Sequence, residues 1–154
     1  MDLPDTAGLT AIPIGASLGA DIVGVDLTKP VTAAAFKAIE AAWHQHLVLR
    51  FRGQRLDDPG LLRFARMFGE LDKAPVHAGR EVEDPFPEIT VMSNIKVDGK
   101  SIGNLGHYEA EWHTDMSYNE FTPIFSLLYA SEVPPAGGDR GFSNTYAAYD
   151  TLPV

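Results

Sequence analysis

Cysteine does not occur anywhere in the 154 residues, which excludes disulfides, zinc–thiolate sites and thiol nucleophiles. Positive charge is scarce: 12 Lys and Arg stand against 21 Asp and Glu, a net charge of −9. Such a chain lacks the basic footprint that phosphates require, so neither nucleic acid nor an anionic membrane surface is expected as a partner. No apolar run approaches the ~20 residues that cross a bilayer. The opening residues, Met1-Asp2-Leu3-Pro4-Asp5, are acidic, unlike the basic start of a secretory signal, and a cytoplasmic location is the expectation. Histidine is sparse as well, with five in all and none after His113.

What is present suits a globular protein. The hydrophobic fraction is 45% and the charged fraction 21%, with eight Phe, five Tyr and two Trp for an aromatic core. A single domain over 1–154 fits that length and composition.

Thr10–Ile14 and Asp21–Leu27 read as short strands divided by a glycine-bearing turn. Thr32 is placed to cap a helix in which Phe36, Ile39, Trp43 and Leu47 recur at helical spacing. Leu47–Phe51 reads as a buried strand. Asp58-Pro59 starts a second helix, with Leu61, Leu62, Ala65 and Phe68 facing inward and Gly69 at its end. Further strands are predicted over Glu88–Ser93, Phe125–Ala130 and Gly141–Thr145, and a helix over Tyr146–Leu152. Residues 94–111, around Asp98-Gly99, Gly103 and Gly106, form a turn and a long loop leading to His113. The pattern is that of an α+β domain built on a β-sandwich.

The chemistry concentrates at His113-Thr114-Asp115. In an extended strand, alternate side chains share a face, so the imidazole and the carboxylate would project together. Those two groups are two-thirds of the 2-His-1-carboxylate set that binds non-haem iron. A packed and hydrogen-bonded strand histidine is the plainer alternative.

Beyond the triplet, Trp112-His113-Thr114-Asp115-Met116-Ser117-Tyr118 and Pro134-Pro135-Ala136-Gly137-Gly138-Asp139 resemble the taurine dioxygenase (TauD/TfdA) family of Fe(II)- and 2-oxoglutarate-dependent oxygenases. Ile14–Ala20, Gly24-Val25-Asp26-Leu27, Phe68-Gly69-Glu70-Leu71 and Ala147-Ala148-Tyr149-Asp150 are similar to that family too, in the expected order. The resemblance implies a double-stranded β-helix (jelly-roll) core, with the two N-terminal helices packed on it. It implies iron bound by His113, Asp115 and a distal histidine, with 2-oxoglutarate and dioxygen as cosubstrates. The implied reaction is hydroxylation of a small organic substrate, releasing succinate and carbon dioxide.

Against that pattern, the distal histidine and the arginine that grips 2-oxoglutarate would fall beyond position 154. The chain thus reads as the N-terminal part of such a domain, truncated at its C-terminus. Too few strands follow the triplet to close a jelly roll, so exposed edges and a homo-oligomer are expected. Where the family usually carries threonine after Gly-Gly-Asp, this chain has Arg140, suited to a cosubstrate carboxylate or simply exposed on a turn. His77 is a candidate substrate contact and His107 a candidate substitute ligand. Glu109 and Glu111 flank the triplet as carboxylates able to tune a cation or reach substrate; solvated loop positions are the alternative for each. Trp112 and Tyr118 are expected in the core. Two other functions compete: an inactive remnant or binding module that keeps the fold, and a metal-dependent hydrolase completed by His77 or His107.

Overall fold

The computed structural model describes residues 8–15, 17–73, 85–101, 103 and 111–153. His77, His107 and Glu109 lie outside them. Two compact units are formed, Met1–Gly60 with Ala130–Val154, and Leu61–Tyr129.

The first unit is organised by a three-stranded sheet in the order β1-β2-β3. β1 (Thr10–Pro13) runs antiparallel to β2 (Ala20–Val23), pairing Thr10 with Val23 and Pro13 with Ala20. β3 (Leu49–Arg50) lies parallel to β2. A parallel partner needs a crossover, and α1 (Ala33–His46) supplies it, packing on both strands. Thr32 Oγ1 caps α1 by accepting from the Ala35 N–H at 3.2 Å, as its sequence position predicts.

The exit from α1 is tighter than a buried strand over Leu47–Phe51 would allow. Val48 N–H donates to His46 C=O at 2.7 Å across Leu47, which sits at φ +64°. That is a γ-turn on a non-glycine residue, a strained geometry that swings the chain straight into β3. The His46 carbonyl also accepts from Gly19 N–H at 2.8 Å, tying the turn to the start of β2.

Ala20, Ile22, Leu27, Ile39 and Ala42 are the buried apolar side chains here. The Gln54 amide closes the edge of this core. Its Oε1 accepts from Leu27 N–H at 2.8 Å and its Nε2 donates to Val25 C=O at 3.1 Å.

Gly24 has φ +84°, and a Cβ there would run into the Gly8 carbonyl oxygen. Gly24→Ala therefore combines backbone strain with a clash against main chain, and should destabilise the protein by at least about 1–3 kcal/mol. Urea unfolding of that variant checks this; an unchanged midpoint would contradict it.

On the sheet surface, Arg50 Nε and Nη2 donate to the Asp21 carboxylate at 2.6 and 3.1 Å, and Arg52 Nε lies 3.4 Å away. Hydrogen bonds from Arg50, then the charges of Arg50 and Arg52, hold the Asp21 carboxyl below the usual carboxylate range. A lowered folded-state pKa adds stability above the unfolded value and loses it as the pH falls through the lowered one. Asp21→Asn should accordingly flatten the acid limb of a thermal-midpoint profile; an unchanged acid limb would contradict the pairing.

α3 (Thr145–Asp150) is capped by Asn144, whose Oδ1 accepts from Ala147 N–H at 3.0 Å and whose Nδ2 donates to Ser17 C=O at 2.8 Å. The helix predicted over Tyr146–Leu152 is thus present, shifted toward its cap. The short strand predicted over Gly141–Thr145 is not formed.

The second helix, α2 (Asp58–Ala65), is capped by Asp57 rather than Asp58: Asp57 Oδ1 accepts from Gly60 N–H at 2.8 Å. Pro59 thus falls one position later in the first turn. Leu62, Phe64 and Ala65 are buried. Beyond Ala65 the helix tapers through Met67 N–H to Phe64 C=O and Phe68 N–H to Ala65 C=O, both 3.1 Å, to reach Gly69.

In the second unit, Phe68 packs edge-on against Phe64 at 5.4 Å and against the Phe125 ring at 4.8 Å. Arg66 Nη2 pairs with the Glu88 carboxylate at 2.9 Å. β4 (Lys96–Val97) and β5 (Lys100–Ser101) form a hairpin, and its two turn residues, Asp98 and Gly99, have φ +50° and +78°. Two positive-φ residues define the turn that Asp-Gly favours.

The strands predicted over Glu88–Ser93 and Phe125–Ala130 are not formed either. Over 125–130 the half-buried and exposed residues still alternate with period 2, Phe125, Leu127 and Tyr129 facing in. The side-chain pattern of a strand is therefore present, but among the described residues no neighbouring chain provides the ladder. The class is α+β, with a small mixed sheet and a hairpin. Trp112 and Tyr118, expected in the core, are 76% and 77% exposed.

Candidate metal centre

His113 and Asp115 do not lie on a strand. His113 lies outside any strand or helix, and Asp115 opens a turn through Tyr118 that is closed by Asn119 N–H donating to Met116 C=O at 3.0 Å. Met116 takes φ +50° to make that turn. Strand alternation therefore does not bring the two groups together, yet the side chains do meet. His113 Nε2 lies 3.1 Å from Asp115 Oδ1.

The other ring nitrogen explains the orientation. His113 Nδ1 is 2.7 Å from the Glu111 carbonyl oxygen, which only accepts, so Nδ1 carries the hydrogen. This leaves Nε2 as the nitrogen that faces the carboxylate. The Glu111 carbonyl and the negative charge of Asp115 together push the His113 pKa up, against the cost of partial desolvation. Nε2 and a carboxylate oxygen hold each other only through a positive charge between them, a proton or a metal cation.

The 3.1 Å separation is that of an N–H···O hydrogen bond, and a cation fits it as well. Metal–ligand bonds of about 2.1 Å at right angles put neighbouring donors about 3.0 Å apart. The observed separation matches one edge of an octahedron. The side chains are 62% and 61% exposed, so the pair opens to solvent instead of being sealed in an apolar interior. Among the described residues no cluster of three or more His, Asp or Glu is placed to hold a metal, so this pair stands without a third protein ligand there.

Asp115 Oδ2 is engaged separately, by the Ser126 hydroxyl at 3.3 Å. Nothing in the His113-Thr114-Asp115 motif points to Ser126. Its only signal was its outward position between Phe125 and Leu127 in the alternating segment. Glu111 was singled out for its carboxylate, but its main-chain carbonyl is what reaches the site. Arg140 is exposed and lies two residues after Gly138; Gly137 and Gly138 take positive φ, +74° and +72°. His44 and His46 end α1, His44 with its ring tilted against that of Trp43 at 5.2 Å.

Residues 8–154 match the family described as taurine catabolism dioxygenase TauD, TfdA family. Pentalenolactone F synthase of Streptomyces avermitilis is 38% identical over 94% of this chain and 47% of its own length. The alpha-ketoglutarate-dependent sulfate ester dioxygenase of Pseudomonas putida is 35% identical over 97% of this chain and 46% of its own. The alpha-ketoglutarate-dependent 2,4-dichlorophenoxyacetate dioxygenase of Cupriavidus pinatubonensis is 32% identical over 94% and 53%. This chain thus spans about half the length of the curated relatives it matches. The crystal structure of AAD-2 with Mn(II) and N-oxalylglycine overlaps 42% of the chain at 26% identity with a TM-score of 0.41, too partial to assign the fold. The family match extends over nearly the whole sequence and through the His113–Asp115 pair, and the chain belongs to the TauD/TfdA family of dioxygenases.

Proposed function

We propose that this chain supplies two of the three protein ligands of an Fe(II)- and 2-oxoglutarate-dependent dioxygenase, His113 through Nε2 and Asp115 through Oδ1. The observation that carries this reading is the 3.1 Å approach of those atoms in a solvent-open setting. When bound, ferrous iron with 2-oxoglutarate and dioxygen supplies oxidative hydroxylation, releasing succinate and carbon dioxide.

The chain's own contributions are local. The Glu111 carbonyl fixes the imidazole tautomer, as ligand histidines generally require. The Asp115 carboxylate brings the negative charge that a divalent cation needs. Any proton on Nε2 leaves before that nitrogen donates to a metal. The family's double-stranded β-helix is the scaffold this reading assigns to the whole protein. Small organic substrates follow from relatives whose names specify sulfate esters and 2,4-dichlorophenoxyacetate.

A second reading is a remnant that keeps the fold and binds metal poorly. One experiment separates them. Fe(II) and 2-oxoglutarate are added without oxygen, and the visible charge-transfer band is recorded. A band from the unaltered protein, lost in Asp115→Ala, supports the dioxygenase reading; no band at saturating metal supports the remnant.

A further inference from the structure

We infer that Ser126 is a positioning residue for the Asp115 carboxylate, holding Oδ2 so that Oδ1 alone is presented beside His113. The inference rests on the reading of His113 and Asp115 as metal ligands.

Asp115 has two equivalent oxygens and an exposed side chain, so nothing intrinsic decides which of them faces the imidazole. In the structure the two oxygens have different partners. Oδ1 lies 3.1 Å from His113 Nε2, and Oδ2 lies 3.3 Å from Ser126 Oγ. A hydroxyl–carboxylate contact of that length is long for its type and adds little stability. Its effect is orientational: it fixes rotation about the carboxylate's terminal bond.

The hydroxyl can do this because its own backbone is anchored. Phe125, the preceding residue, is held against Phe68 at 4.8 Å, and Phe68 against Phe64 at the end of α2. In the alternating segment 125–130, packing Phe125 inward turns Ser126 outward, toward the site. A carboxylate that binds through one oxygen leaves a second, charged oxygen in need of a donor. Freed of that donor, the exposed carboxylate rotates, and Oδ1 is no longer held beside His113 Nε2.

The test uses Mn(II) as the probe, with free ion followed by electron paramagnetic resonance in titrations of the unaltered protein, Ser126→Ala, Ser126→Thr and His113→Ala. Thermal unfolding monitors the fold. Ser126→Ala should weaken Mn(II) binding by about 10-fold or more with an unchanged thermal midpoint. Ser126→Thr, which keeps the hydroxyl, should restore binding close to that of the unaltered protein. Equal affinity in Ser126→Ala and the unaltered protein overturns the role, as does failure of Ser126→Thr to rescue. A different pattern overturns the metal-site reading itself, and Ser126's role with it: no binding by the unaltered protein, or equal binding by His113→Ala.

Discussion

His113→Ala should lower divalent-metal affinity by at least about 100-fold while leaving the fold intact. The size of the loss follows from what the ring contributes. Outer partners of metal ligands are worth about 10–100-fold in affinity, so a direct ligand is worth no less than the top of that range. With Asp115 alone, the remaining site is one exposed carboxylate, and water competes for a cation there on nearly equal terms. The fold should be indifferent, because His113 is 62% exposed and its partners are one main-chain carbonyl and one exposed carboxylate. Surface changes of that kind usually stay within about 0.5 kcal/mol. Calorimetric titration with Co(II), alongside a thermal melt, separates the two effects. Retained affinity would mean that the pair is an ordinary surface hydrogen bond.

Ile39→Ala should give the largest stability loss of any single truncation in the first unit, about 2–5 kcal/mol. Ile39 is completely buried and, among the described residues, is the largest side chain so enclosed. It belongs to α1, the helix that packs on β2 and β3. Against the 5–15 kcal/mol typical of whole domains, that loss is large. Tyr149→Ala is the matched control, since Tyr149 is 75% exposed and its truncation should cost almost nothing. Urea denaturation of the two variants measures the contrast; similar midpoints for both would show that the core is elsewhere.

The helices were the most legible part of the sequence. In α1 the stripe of Phe36, Ile39 and Trp43 and the cap at Thr32 each act as their spacing implies. Ala42 was invisible to that reasoning, because periodicity is read from large side chains and a buried alanine looks like any other. Phe64 was passed over on α2 for a different reason: it lies beside the expected stripe and is drawn in by Phe68. The Asp98-Gly99 turn was readable because both residues tolerate positive φ.

Strands were the least legible. Phe125–Ala130 has the alternating burial of a strand without a ladder, since alternation is a property of one segment and pairing is a property of two. At the site, the His-x-Asp spacing points to two side chains that do meet, but through a different local structure. What brings the groups together is a turn at Met116 and a carbonyl at Glu111, and neither leaves a mark in residue type. Ser126 was missed because it is 11 residues away in sequence and reaches Asp115 only in space.

The most direct measurement is anomalous scattering from a crystal of this protein grown with Co(II). The ion should appear between His113 Nε2 and Asp115 Oδ1, within about 2.0–2.2 Å of each. Density at a different place, or an imidazole and carboxylate still in direct contact with no ion at saturating Co(II), would contradict the account.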